Sequence, residues 1–233
     1  MQNNKREFIL IEKKKETDGI TSLFFKTVDG LRYEYVSGQY VVVKKEPTGR
    51  GKSYTISSDP SLENICITVK RKGEMSSFLI DLNIGEKITF EGPYGSFYPK
   101  EEDMNIVMIA GGIGVTPFYS IIKNKIKLNF NKQILLLYSN KTVEKTPFFE
   151  GLNKLSENNS NFKIIYFLTG ENTKNSLVNE YARISGETIK KYVKVLENKH
   201  YYVCGSIEFV NNIWKILKKI GIDESFIFTE TFY

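Results

Sequence analysis

Near Met104 the spacing of apolar residues changes, and that change constrains the fold more than any other feature of the chain. Before it the apolar runs are short and separated by turn-like residues: FILIEKK (8–14), ITSLFFKTV (20–28), YVVVKK (40–45), SYTISS (53–58), ICITVKRK (65–72) and KITFEG (87–92). Six such runs at regular intervals read as a six-stranded antiparallel β-barrel, with room for one helix at 76–82. After it the runs are apolar throughout: NIVMIA (105–110), QILLLYS (133–139), KIIYFLT (163–169), YYVCGS (201–206) and FIFTETF (226–232). Helical patterns at 117–126, 148–156 and 208–219 lie between them. Continuous apolar strands alternating with helices predict a five-stranded parallel sheet covered on both faces. Two domains follow, 1–102 and 103–233, joined through 94–104. A chain of 233 residues is long enough for each to bury a core.

Composition narrows the functional classes. The two cysteines, Cys66 and Cys204, are far apart and form no CxxC pair, which argues against a zinc or iron-sulfur site and predicts no bound metal. Near the N-terminus the longest apolar run is FILI, too short for a signal peptide or a membrane span, so a cytoplasmic protein is expected. A net charge of +6 and a pI near 9.0 invite a nucleic-acid reading. The lysines are scattered along the chain, however, and a solvated basic surface accounts for them, so no nucleic-acid partner is expected.

A glycine turn gives the second domain its chemistry. AGGIGVTP (110–117) sits between an apolar strand and a helical pattern, the setting a Rossmann-like dinucleotide turn requires. Gly112 and Gly114 let a backbone approach a pyrophosphate, and the following helix offers free N–H groups. Pro117 fits the first helical turn, where a missing donor costs nothing. No acidic residue ends the next strand. Ser139, Asn140 and Lys141 stand there instead, a hydroxyl and an ammonium able to accept a 2'-phosphate, and the choice between NADPH and NADH stays open.

SYTISS poses a separate question, because taken alone it is an ordinary barrel strand with its hydroxyls facing water. It is one of eight short motifs in order along almost the whole chain: GQY (38–40), KSYT (52–55), GEMS (73–76), GPYGSF (92–97), GGIGVTP (111–117), LLYSN (136–140), YYVCGS (201–206) and TETF (229–232). The series resembles the ferredoxin-NADP reductase superfamily, flavoproteins that pair a flavin-binding barrel with a nicotinamide-binding α/β domain.

The resemblance implies roles residue by residue. The Arg-x-Tyr-Ser/Thr flavin motif falls on Lys52, Tyr54 and Thr55, with Ser53 between them. The tyrosine ring would pack on the flavin, Thr55 would reach N5, and Lys52 would hold phosphate in place of the family's arginine. An ammonium lacks the bidentate fork of a guanidinium, a departure for which Arg50 offers compensation. Gly73, Met75, Ser76 and Ser77 match the family's Gly-x-x-Ser helix start, where Ser76 also suits an N-cap. With Val69, Lys70 and the nearby Arg71, that element implies FAD as the flavin. Thr116, Cys204 and Gly205 would flank the nicotinamide; Cys204 supplies shape and soft contact, since no adjacent base would activate it as a nucleophile. Glu230, Phe232 and Tyr233 correspond to a tail laid over the flavin, with either ring as its cover. Cys66 and His200, the only histidine, read as core and as a surface or packing residue.

These assignments predict a reductase that passes electrons from NADH or NADPH through FAD to a separate redox acceptor, such as ferredoxin or flavodoxin. Thr55, Thr116, Cys204 and Glu230 are the residues expected nearest the reacting atoms. A basic protein would suit an acidic carrier. The alternative is a non-catalytic electron-transfer or regulatory subunit that keeps the fold but binds flavin weakly, a reading that Lys52 invites.

Overall fold

Residues 5–45, 51–100, 104–170 and 175–232 are described by the structure, a computed structural model of the chain. Two compact units make it up. One comprises Met1–Tyr98 together with Thr116–Asn124; the other comprises Pro99–Val115 together with Lys125–Tyr233.

In the first unit, strands β1 (Lys5–Thr17), β2 (Ile20–Thr27), β3 (Tyr40–Val43), β4 (Lys52–Thr55), β5 (Ile65–Lys70) and β6 (Lys87–Tyr94) form one antiparallel sheet. Their order is β4-β3-β6-β1-β2-β5. An isolated bridge between Ile56 and Ile67 joins the two edges and curls the sheet toward the expected barrel. Alternation decides which side chains turn inward: Phe8 and Leu10 on β1, Leu23 and Phe25 on β2, and Ile88 and Phe90 on β6 are all buried. The rings of Phe8 and Phe90 lie 4.8 Å apart and those of Phe25 and Phe90 meet edge-on at 5.0 Å. Such pairs add about 1 kcal/mol each beyond simple burial.

The helix expected at 76–82 starts earlier, as α1 (Glu74–Asp81). Gly73 is its N-cap, so Ser76 occupies the third helical position and not the cap itself. From there its hydroxyl accepts hydrogen bonds from the backbone N–H groups of Lys72 (2.9 Å) and Gly73 (3.0 Å) and donates to the Gly73 carbonyl at 2.8 Å.

The second unit is built on β7 (Asn105–Gly111), β8 (Ile134–Asn140), β9 (Phe162–Leu168), β10 (Lys199–Ser206) and β11 (Ile227–Phe232). All pair in parallel, in the order β11-β10-β7-β8-β9. Residues 106 to 110 of the central strand are buried without interruption, as a sheet covered on both faces demands. Helices α2 (Thr116–Lys127), α3 (Phe149–Glu157) and α5 (Ile207–Lys219) follow the helical patterns of the sequence. One helix, α4 (Gly186–Tyr192), was not expected. It is short and polar and buries Ile189, and its start is fixed by a reciprocal cap between Ser185 and Thr188. Among the described residues no helix is long and apolar enough to cross a membrane, and no three metal-ligating side chains gather to hold an ion.

Candidate functional site

Within the first unit, β4 runs antiparallel to β3, with Tyr54 opposite Val41 and Thr55 opposite Tyr40. Lys52 and Ser53 are exposed, Tyr54 is half-buried against the barrel core, and Thr55 is buried. Burial pushes the Tyr54 phenol up to about 12, so at neutral pH its ring is uncharged and suited to lie against a flat heterocycle. The Thr55 hydroxyl is buried with no hydrogen-bond partner. A hydroxyl left so costs about 1–3 kcal/mol, which is a reason to keep it only where something else meets it. On this observation the strand fits a flavin.

The hydroxyls that follow do not face water as an ordinary strand would have them. Ser57 and Ser58 are buried. Ser57 Oγ donates to the Cys66 carbonyl at 3.2 Å, and Ser58 Oγ accepts from the Cys66 N–H at 2.9 Å. Cys66 itself is buried, its thiol raised to about 11 by desolvation, and is a core residue as expected.

At β5 and the start of α1, Val69 is buried, Lys70 exposed, and Met75 and Ser77 partly buried. Met75 and Tyr54 pack on the same barrel core. The Ser76 hydroxyl has one proton and two lone pairs, all spent on its own helix start. What this element offers a phosphate is therefore the positive end of α1 and not that hydroxyl. Glu74 in the first turn is paired with Lys45 at 2.9 Å. Arg50 and Tyr233 lie outside the described residues.

In the second unit the sheet order reverses direction between β7 and β10, the position at which open α/β sheets bind ligands. There Gly112 has φ +54, a left-handed conformation that favours glycine, and a Cβ on it would meet nothing within 4 Å. Gly114 is small for a reason inside the chain. A Cβ on it would overlap the carbonyl of Cys204 and stand 2.7 Å from the Cα of Gly205, so the turn packs directly on β10. The ring of Phe209 covers both Gly111 and Gly205, at 2.9 Å and 2.7 Å from the Cβ each lacks. Tyr138 steadies the turn by donating its hydroxyl to the Gly112 carbonyl at 3.1 Å. Phe209 belongs to no recognisable motif, and only the turn it supports points toward it; Tyr138 lies within LLYSN (136–140), but the sequence assigned it no role.

Cys204 lies level with Ala110 on one side and Glu230 on the other, so the ends of three strands come into line. Burial drives the Cys204 thiol upward, the Glu230 charge adding to it, which removes any nucleophilic character at neutral pH. Glu230 is partly buried, its Oε2 has no partner, and desolvation lifts its carboxyl to about 7. Phe232 is partly buried two residues on. At the end of β8, Ser139 is partly buried and Lys141 exposed. Asn140 is buried; its backbone carbonyl accepts from the Thr169 N–H at 3.0 Å, while its Nδ2 has no partner. Among the described residues, the buried polar atoms without a partner on Asn140, Glu230 and Thr55 fall at candidate site positions, while Tyr33 Oη and His200 Nδ1 fall outside them.

Thr116 and Pro117, the first two residues of α2, are buried and belong to the first unit, together with Tyr54 and Thr55. His200 sits near the start of β10, away from the aligned strand ends. It is buried and stacked on Phe226, with ring centroids 5.9 Å apart, which fits packing.

Residues 7–98 match the family model described as an oxidoreductase FAD-binding domain, and residues 108–215 match the one described as an oxidoreductase NAD-binding domain. The chain is 26% identical over 239 residues to a flavohemoprotein of Bacillus subtilis (strain 168), an alignment that takes in 97% of this chain and 59% of that protein. It therefore spans about 60% of the length of the flavohemoproteins it matches. It superposes on the FAD/NAD binding domain of nitric oxide dioxygenase from Vibrio cholerae O1 biovar El Tor with a TM-score of 0.88 at 24% identity, covering 97% of this chain and 98% of that one. With a ferredoxin NADP+ reductase from Neisseria gonorrhoeae, seen with bound FAD and NADP, the TM-score is 0.84 at 19% identity over 99% of each chain. At these identities the superpositions establish the fold. With one domain model on the antiparallel sheet and the other on the parallel sheet, the chain belongs to the ferredoxin-NADP reductase superfamily of FAD- and NAD(P)-dependent oxidoreductases.

Proposed function

We propose that the protein takes electrons from NADPH or NADH onto a FAD held at β4, β5 and α1, and delivers them to a separate redox acceptor. The observation that carries this reading is the buried, unpartnered hydroxyl of Thr55 beside the half-buried ring of Tyr54. When bound, the flavin supplies the capacity to take two electrons from a reduced nicotinamide and release them singly. The chain's own residues bind and aim. Tyr54 offers an uncharged aromatic face, Thr55 a hydroxyl for a polar ring edge, Lys52 and Lys70 positive charge for phosphates, and α1 its N-terminus. Gly112, Gly114, Thr116 and Pro117 form the dinucleotide turn, and Ser139, Asn140 and Lys141 receive the adenosine ribose or its 2'-phosphate. Cys204 and Gly205 shape the nicotinamide pocket. Glu230 holds or releases a proton at Oε2 near neutral pH.

For the acceptor, an acidic carrier such as a ferredoxin or flavodoxin suits the net charge of +6. The flavohemoprotein relatives add a haem protein to the candidates. We place the protein in the cytoplasm, where thiols such as Cys66 and Cys204 remain reduced. The exposed Lys52 and the fully engaged Ser76 hydroxyl favour one other reading, a subunit that keeps the fold with weak flavin binding.

Purified protein loaded with FAD and titrated anaerobically with each nucleotide separates the two. Bleaching of the yellow colour supports the reductase, and a colourless protein that takes up no FAD overturns it. Tyr54→Ala is expected to lower flavin content; unchanged content would remove Tyr54 from the site.

A further inference from the structure

Ser120, in the second turn of α2, is fully buried, and its hydroxyl donates a 2.5 Å hydrogen bond to the backbone carbonyl of Ser58, three residues beyond Thr55. One turn later on the same helix face, Asn124 Nδ2 donates to Asp59 Oδ1 at 3.3 Å. Between them Ile121 lies so near Gly38 that a Cβ there would stand 3.2 Å from its Cδ1. Two adjacent residues of the chain that continues from the flavin strand thus accept hydrogen bonds from successive turns of the helix that opens with Thr116.

The accepting segment is held from behind. Ser58 Oγ shares a 2.7 Å hydrogen bond with the Tyr35 hydroxyl and accepts from the Cys66 N–H at 2.9 Å. Next to it, Ser57 shares a 2.9 Å bond with Thr68, Thr68 one of 2.9 Å with Ser22, and Ser22 donates to the Glu16 carboxylate at 2.9 Å. The three hydroxyl protons of Ser57, Thr68 and Ser22 are shared among these bonds and the one to the Cys66 carbonyl, and a polar run of this kind fixes one arrangement where an apolar contact would let a helix slide. None of these hydroxyls is claimed by the flavin or nucleotide motifs. The compact unit they belong to contains both Thr55 and Thr116.

Resting on the flavin and nicotinamide reading above, we infer that Ser120 is a positioning residue: its bond to the Ser58 carbonyl, seconded by Asn124 on Asp59, sets the reach between Thr116 at the nicotinamide turn and Thr55 at the flavin. It acts through the helix and touches neither ring. Transfer between two rings is steep in distance, so a clamp of this kind governs rate more than affinity.

Ser120→Ala removes the donor. In the FAD-loaded protein the flavin content and the KM for the nucleotide stay as in wild type, while the limiting rate of flavin reduction falls about ten- to a hundredfold, the effect of a displacement near 1 Å. The long-wavelength absorbance that appears when a nicotinamide lies on a flavin weakens in parallel. In the cofactor-free protein, amide hydrogen exchange across residues 116–124 rises while that of 105–111 does not. Ser120→Cys, almost isosteric and a weak donor, recovers part of the rate, and Asn124→Ala, which opens no fully buried site, shifts rate and exchange in the same direction. An unchanged reduction rate in Ser120→Ala overturns the inference, as does loss of flavin in proportion to rate, because the bond would then hold the barrel together and aim nothing. A wild-type protein that takes up no FAD defeats the functional reading instead, and the cofactor-free exchange still decides the clamp: unchanged exchange across 116–124 overturns it.

Discussion

Replacing Glu230 by Gln is expected to abolish a pH-dependent loss of stability in the second unit. Burial lifts the Glu230 carboxyl from 4.5 to about 7 in the folded protein. Below about pH 4.5 the folded and unfolded states both carry the proton, and burial of the neutral acid draws no ionisation penalty. As the pH rises toward 7 the unfolded chain ionises first, so stability falls through that window and then levels off. One pH unit between the two ionisations corresponds to about 1.4 kcal/mol, so a rise from 4.5 to about 7 makes the penalty roughly 3 kcal/mol. The amide of Gln keeps the shape and does not titrate. Trp214, the single tryptophan, lies on α5 in the second unit and reports its unfolding by fluorescence. In urea titrations of the cofactor-free proteins, the stability of Glu230→Gln relative to wild type should grow by roughly 3 kcal/mol between mildly acidic and mildly alkaline pH. Carboxylates held low by their partners, such as Glu180 between Lys191 and Tyr192, shift stability the other way but equally in both proteins, so they drop out of the comparison. Parallel pH profiles would refute the reasoning and show that the Glu230 carboxylate is hydrated in the folded state.

Thr55→Val should raise the stability of the cofactor-free protein by about 1 kcal/mol, because it removes a buried hydroxyl that lacks a partner, while reducing the stabilisation gained on adding FAD; a loss of stability without cofactor would show that the hydroxyl is satisfied within the chain. Gly114→Ala should lower the urea midpoint of the Trp214 transition by the equivalent of about 1–3 kcal/mol, since the new Cβ collides with the backbone of β10, and an unmoved midpoint would mean that turn and strand separate freely. Lys52→Arg should tighten FAD binding by about tenfold, roughly 1.4 kcal/mol, through a bidentate contact to phosphate. An unaltered Kd in a flavin-fluorescence titration would place residue 52 away from the phosphates.

The sheets were legible because the period of burial is written directly in residues such as Phe8, Leu10, Phe25 and Phe90, and in the unbroken run at 106–110. The glycine turn was legible because strand, glycines and proline stand in order. What sequence could not convey was which atoms each residue would spend. Ser76 reads as a helix cap or an anion ligand, and only coordinates show its hydroxyl exhausted on Lys72 and Gly73. Gly114 reads as room for a phosphate, yet the strand beside it already requires the gap. The hydroxyls of SYTISS read as solvated because their partners, Cys66, Thr68 and Tyr35, are remote in the chain. Helix α4 escaped notice because a seven-residue segment whose one buried residue is Ile189 carries almost no periodic signal.

Phe209 lies over two glycines at once, Gly111 at the end of β7 and Gly205 at the end of β10. That overlap turns three scattered positions into one evolutionary character. A lineage that acquires alanine at 111 or 205 must trim the ring at 209 in the same stroke, and one that keeps the phenyl group is barred from either methyl. Side-chain bulk at these three places should therefore trade off inversely across descendants of this fold, a correlation that any sufficiently deep collection of sequences would expose without a single measurement on the protein.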